Sequence, residues 1–147
     1  MTTLQSQIAQ GVKPVPQAFT AGAVVAYRAE YTIPSGTTVA TTDVIEMAVL
    51  PADHTLIGVT IVGAGFTTGT TAKVGLMSGE VGDDESARTC GSEIAATADV
   101  KDTESSAKAS ALAAIAKSDT DRAIGLQLSA SEAGPSKTVT LVILMTQ

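Results

Sequence analysis

The sequence has no tryptophan, no asparagine, one histidine and one cysteine among 147 residues. Each absence closes a door. Without asparagine there is no N-glycosylation acceptor and no Asn-Gly hairpin turn, so turns fall to Gly, Pro, Asp and Ser. A lone Cys90 excludes an internal disulfide. A lone His54 leaves no histidine pair for a metal, and any Ser or Cys triad would need it as base. Neither Gly58 to Gly63 nor Arg88 to Glu93 reads as a nucleophile elbow. Aromatic residues make up only 3%, which argues against a sugar-stacking platform. Basic residues are scarce as well. Nine face fifteen acidic ones, for a net charge of −6, and this disfavours direct binding to nucleic acid. No apolar run approaches the roughly 18 residues of a membrane helix. The first thirteen residues lack the basic end and apolar centre of a signal peptide, so a soluble chain made in the cytoplasm is expected.

What remains is strand material. The length suits one domain, and 44% apolar residues supply a core built from Val, Ile, Leu, Ala and Met. The stretch Asp43 to Met77 organises it, with three β-branched runs cut by two turns. Val44 to Leu50 is the first. Pro51-Ala52-Asp53 breaks it. Leu56 to Val62 follows, with Ile57, Val59 and Ile61 expected on one face. Gly63, Gly65 and Gly69 mark the return to Ala72 to Met77, and the three runs read as a meander. Upstream, Val24 to Ile33 alternates, with Val25, Tyr27, Ala29, Tyr31 and Ile33 on one face. Downstream, Arg122 to Ala130 and Lys137 to Thr146 alternate again and read as a hairpin about the Glu132 to Ser136 turn. Val139, Leu141, Ile143 and Met145 share one face of the last strand. The opposite face, with Val142 and Leu144, is apolar too, as in a central strand or a subunit contact.

Three segments are less regular. Glu80 to Glu104 holds eight of the fifteen acidic residues and reads as a solvated excursion with one strand near Glu93 to Thr97. Ser105 to Lys117 is alanine-rich, which predicts a short helix, with a poorly patterned strand as the rival. Residues 1–22 form either a frayed terminus or an arm that orders on a partner; Leu4 and Ile8 fit one helical turn before Gly11, Pro14 and Pro16. Such an arm would offer Val12, Val15 and Phe19. The body then spans 23–147, and six or more strands with short turns predict an all-β fold, an antiparallel β-sandwich of jelly-roll type.

Candidate chemistry is thin. Gly63-Ala64-Gly65 follows a strand, but Thr68 replaces the third glycine of a dinucleotide fingerprint, and Gly69 precedes Thr70 rather than Lys. Gly82-Asp83-Asp84-Glu85 lacks the spacing of a calcium loop, and Asp119 and Asp121 have no third partner. No catalytic, cofactor or metal residue is expected. His54 reads as a surface turn residue, and Cys90 as a small semi-buried one.

The order of five short motifs carries a resemblance. They are Tyr27-Arg28-Ala29-Glu30-Tyr31-Thr32, Asp43-Val44-Ile45-Glu46-Met47, Leu50-Pro51-Ala52, Ile57-Gly58-Val59 and Val74-Gly75-Leu76. From Val24 to Gln147 the chain resembles the small head decoration, or cement, proteins of tailed bacteriophages. Ser105 to Lys117 departs from that pattern. The resemblance implies a β-sandwich on the outer capsid surface that binds the major capsid protein where its subunits meet. It implies no catalysis, no cofactor and no membrane, and a homo-oligomer, a trimer before a dimer. The contacts expected are Val12, Val15 and Phe19 of the arm and Val142 and Leu144 of the last strand. A receptor- or glycan-binding fibre or spike module is the alternative, and it would want aromatic loops.

Overall fold

The computed structural model describes residues 1–17, 22–84 and 87–147. Two sheets pack face to face. One has the order β1 (Thr3–Gln5), β4 (Val44–Leu50), β9 (Arg122–Leu128), β6 (Thr71–Leu76), β7 (Ala95–Asp99). The other runs β2 (Val24–Thr32), β11 (Thr138–Thr146), β5 (Thr55–Ala64), β8 (Glu104–Ser106). A two-stranded ribbon of β3 (Thr38–Val39) and β10 (Glu132–Ala133) stands beside them. All strand pairs are antiparallel except β1 with β4. Without β1 and the ribbon, eight strands divide into two four-stranded orders, β2-β11-β5-β8 and β4-β9-β6-β7. That is the jelly-roll arrangement, and the predicted all-β sandwich is what forms.

The connections differ from the sequence reading. Val44–Leu50, Thr55–Ala64 and Thr71–Leu76 are no meander, because β5 lies in the opposite sheet from β4 and β6. The last two long strands are no hairpin either. β9 pairs with β4 and β6, whereas β11 pairs with β2 and β5. A period of two tells which face a residue takes but not which strand lies beside it. Ile57 also departs. Leu56, Val59 and Ile61 are buried, while Ile57 is 44% exposed. A register shift opposite Leu144 and Met145 inserts one extra residue, and the bulge flips the phase at Ile57.

The core lies between the sheets. Ala29, Ile61, Leu141 and Ile143 from one sheet meet Ile45, Met47, Val74 and Leu126 from the other, all at most 1% exposed. A short helix, α1 (Ala109–Ala113), packs near β5 and plugs the core with Leu112, while Ile115 follows it inward. Only five of the residues expected to be helical are so, and Glu104–Ser106 before them is strand. The helix lacks a side-chain cap, and so short a helix is held by packing rather than propensity.

The acidic excursion keeps Glu80, Asp84, Glu93, Asp99, Asp102 and Glu104 exposed, as expected of a solvated segment, but part of it also serves as a cover. β4 is buried along its whole length, because Met77 to Val81 and Arg88 to Cys90 cover its outer side. Val44, Met77, Cys90 and Ala123 form a small second cluster there, with Val81 against it. The strand expected at Glu93 to Thr97 runs two residues later, at Ala95–Asp99.

The chain start is tied to the body. β1 pairs with β4, Ile8 and Ala9 are buried, and the Ser6 hydroxyl donates to the Met47 carbonyl.

Candidate functional site

Among the described residues, no group of three or more His, Cys, Asp or Glu is placed to hold a metal. Among the same residues, no helix is long and apolar enough to cross a membrane. The polar side chains buried in the fold are occupied with holding it. His54 is buried rather than on the surface, and its Nδ1 lies 2.7 Å from the Ala52 carbonyl, closing the turn after β4. Burial pushes the Cys90 thiol up to about 11, against the opposing pull of Lys73 and a Gly75 backbone bond, so it stays an unreactive thiol. The Tyr27 hydroxyl donates to the Val49 carbonyl at 2.5 Å and ties the two sheets together.

Glu132, expected in a turn, instead ends inside the fold. Its carboxylate accepts from Thr70 Oγ1 at 2.5 Å, from the Thr67 N–H and hydroxyl at 3.1 Å each, and from Lys137 Nζ. Burial alone would raise its pKa, but the bonds from Lys137, Thr70 and Thr67 outweigh that and hold it below the usual value of 4.5. A depressed carboxylate stabilises the fold above its unfolded pKa and loses that contribution as the pH falls through the folded one. Glu132→Gln is therefore expected to cost about 2 kcal/mol near neutral pH. The gap between wild type and variant should close as the pH drops below 4.5. Melts at a series of pH values read this directly, and a gap constant with pH would contradict it.

The two sheets differ in what covers them. The outer side of the five-stranded sheet carries Met77 to Val81 and Arg88 to Cys90. On the four-stranded sheet, the register sets Leu144 between Ala26 and Gly58, Val142 between Arg28 and Thr60, and Thr146 between Val24 and Thr55. Leu144 is 37% exposed and leans over Gly58, where an added Cβ would lie 2.9 Å from its Cδ1. Ile57, turned out by the bulge, and Val24, 58% exposed, flank it. Val24, Ala26, Ile57, Val142 and Leu144 thus gather at one end of an open sheet face.

The sequence-predicted contacts fall in three places. Val142 and Leu144 are on this face together. Val12 is 67% exposed in the turn after β1, and Val15 is partly buried against the chain's own core. Phe19 lies outside the described residues. Ile57 and Val24 escape the sequence reading. The β5 bulge hides Ile57, and Val24 reads as the inert start of a strand.

No protein-family model matches the sequence, and no curated protein does. Solved structures do. A chain of the capsid of Ralstonia phage GP4 is 30% identical, with a TM-score of 0.85 over 99% of this chain and 97% of that one. Chains from the acid-stable capsid of Helicobacter pylori bacteriophage KHP30 and from the cyanophage Pam1 capsid asymmetric unit share the fold. Their TM-scores are 0.56 and 0.55, at 14% and 16% identity. They cover 87% and 91% of this chain, and 90% and 91% of their own.

Proposed function

The chain belongs to a family of bacteriophage capsid proteins, with a structural role in the virion, and from that premise we propose that it is a decoration protein of the head. It binds the outer surface of the capsid lattice and stiffens the shell by contact with the major capsid protein. The observation that carries this reading is the open apolar end of the four-stranded sheet, Val24, Ala26, Ile57, Val142 and Leu144, on a full-length relative of a capsid chain. One sheet face is covered by the chain itself and the other presents apolar residues to a partner. Many copies on one lattice make weak single contacts add up, because each bound neighbour raises the effective concentration of the next contact.

Co-sedimentation of the purified protein with undecorated capsids tests this. Wild type should bind and raise the temperature at which the shells open. Leu144→Asp and Ile57→Asp place a charge in the contact and should each weaken binding about 30-fold or more. Val12→Asp tests the exposed turn without touching β1, which a deletion of the chain start would remove from the sheet. Full binding by all three variants would end the reading. Binding to host cells or glycans instead of capsids would favour a fibre or spike module.

A further inference from the structure

At one end of the sandwich the core stops at an open pocket. The even-numbered residues of β9 face the other sheet, as Ile124, Leu126 and Leu128 do in the core. Arg122 opens the strand in the same phase, so its side chain leaves the sheet on the inner side. Leu76, last in β6, has that phase too and is partly buried against the core. Together with Ala111, Ala114 and Ile115 from α1 and the turn after it, they line a pocket of about 410 Å³, at the small end for a ligand site. Its walls are mostly aliphatic, and Arg122 is the one cation among the described residues that line it. Among the described residues that guanidinium has no ion pair, and its Nε is shut off from solvent without a hydrogen-bond partner. Glu93 lines the pocket as well, but not within ion-pair distance, and its Oε2 accepts from the Leu76 N–H at 3.1 Å. Asp121, beside Arg122 in the chain, accepts from the Ala52 N–H at 2.8 Å instead.

A buried N–H without an acceptor costs stability, and that cost is recovered when a ligand brings the acceptor. We propose that the pocket receives a carboxylate on a short aliphatic stem, an acidic side chain of the capsid protein that the chain binds. This rests on the decoration role proposed above and adds a specificity residue to it. The chemistry selects the class. A guanidinium fork matches the two oxygens of a carboxylate, and the aliphatic walls suit the methylenes behind it. A phosphate group brings more charge than one arginine balances and more oxygens than these walls can satisfy. The position agrees. Arg122 pairs with Leu50, the turn of Pro51 to His54 leads from there to Thr55, and Thr55 is joined through Thr146 to Val24. The pocket and the open apolar patch of Val24, Ile57 and Leu144 therefore share one end of the sandwich. A partner laid over that end covers apolar area with the patch, while the ion pair in the pocket sets where its acid must lie.

Titration of the full chain onto undecorated capsids tests this. Arg122→Met should bind about tenfold more weakly, and Arg122→Lys should fall between it and wild type, since it keeps the charge and loses the fork. Ala114→Glu sets the chain's own carboxylate in the pocket and should weaken binding by a similar factor. Lys101→Gln removes the same charge at the far end of β5 and should bind like wild type. The free Arg122→Met protein should melt no lower than wild type, because the arginine has no partner to lose. A midpoint several degrees lower would make Arg122 a structural residue and overturn the proposal. Capsids whose carboxylates have been converted to amides identify the ligand group. On them wild type should drop to the level of Arg122→Met, and Arg122→Met should change little. An equal loss for both proteins, or a Lys101→Gln loss equal to that of Arg122→Met, would overturn it. If Leu144→Asp weakens binding while Arg122→Met and Ala114→Glu bind like wild type, the decoration role stands and the pocket falls. No binding of wild type to any capsid would end both.

Discussion

Arg88→Met is expected to destabilise the protein by about 3–5 kcal/mol, because it strands Glu46 as a buried carboxylate without a partner. For a chain of this length that corresponds to a fall of about 10 °C or more in the melting midpoint. The side chains of Arg88 and Glu46 are 2% and 0% exposed, and Arg88 Nη1 lies 2.5 Å from Glu46 Oε2. Nη1 also donates to the Asp83 carbonyl at 2.7 Å, and Nε to the Ser78 carbonyl at 2.8 Å. Glu46 in turn accepts from the Gly82 N–H at 2.9 Å. One ion pair therefore pins both ends of the covering segment onto the outer side of β4. Losing it should lift that segment as well as lower the midpoint. Cys90 lies under the same cover, so its thiol should react with a maleimide or disulfide reagent much faster in the variant. The double variant Glu46→Met with Arg88→Met removes the unpaired charge and should recover most of the loss, since apolar replacements of buried pairs are often neutral. A single variant within about 1 kcal/mol of wild type would show that the pair is hydrated and the cover loosely held.

That ion pair also marks where the sequence stops being legible. Composition makes residues 80–104 look like a hydrated acidic loop, and the one arginine within it carries no visible signal. Its partner is the one charged residue in the apolar run Val44 to Leu50, and nothing in that run shows what covers it. The outer side of β4 is buried only because a distant segment folds over it, and local pattern does not encode that. Strands with one wet face are easier. β2 alternates from Val25 to Ile33, and the structure buries Ala29, Tyr31 and Ile33 as the pattern requires. On β11 the odd-numbered residues from Val139 to Met145 are buried and Val142 and Leu144 fall on the open face, although Thr140 on that same face is buried too. On β5 a single bulge moves Ile57 to that face. Pairing is the least legible, since a jelly roll sends consecutive strands to opposite sheets while its turns use the same Pro, Asp and Gly as hairpins do.

Gly63→Ala is expected to cost about 3 kcal/mol, at the upper end for overpacking, although one methyl group is all it adds. An added Cβ would lie 1.9 Å from the Val100 carbonyl oxygen, 2.4 Å from its carbon and 2.5 Å from its Cα. The obstacle is backbone, so no rotamer change relieves it. That backbone is also held in place. Val100 is fully buried, the Gly63 N–H donates to the Thr103 carbonyl at 3.0 Å, and Asp102 Oδ1 accepts from the Gly65 N–H at 2.7 Å. The turn from Asp99 to Thr103 leads into β8, the strand that borders β5, so pushing it outward strips the sheet edge. The informative control is Gly69→Ala. Gly69 has φ +89°, with nothing within 4 Å of an added Cβ, so it meets only the backbone penalty of about 1–2 kcal/mol. In the sequence the two glycines look alike, both serving the return from β5 to β6. The structure gives them different tasks: Gly69 supplies a turn angle, and Gly63 lets two backbones touch. Denaturant midpoints of the two variants separate these tasks, and a Gly63→Ala loss no larger than that of Gly69→Ala would refute the close contact. Under the decoration role proposed above, Gly63→Ala should also weaken capsid binding more than its distance from Leu144 suggests. Both lie on the β5–β11 pair, and displacing one end of β5 disturbs the strand that carries Ile57.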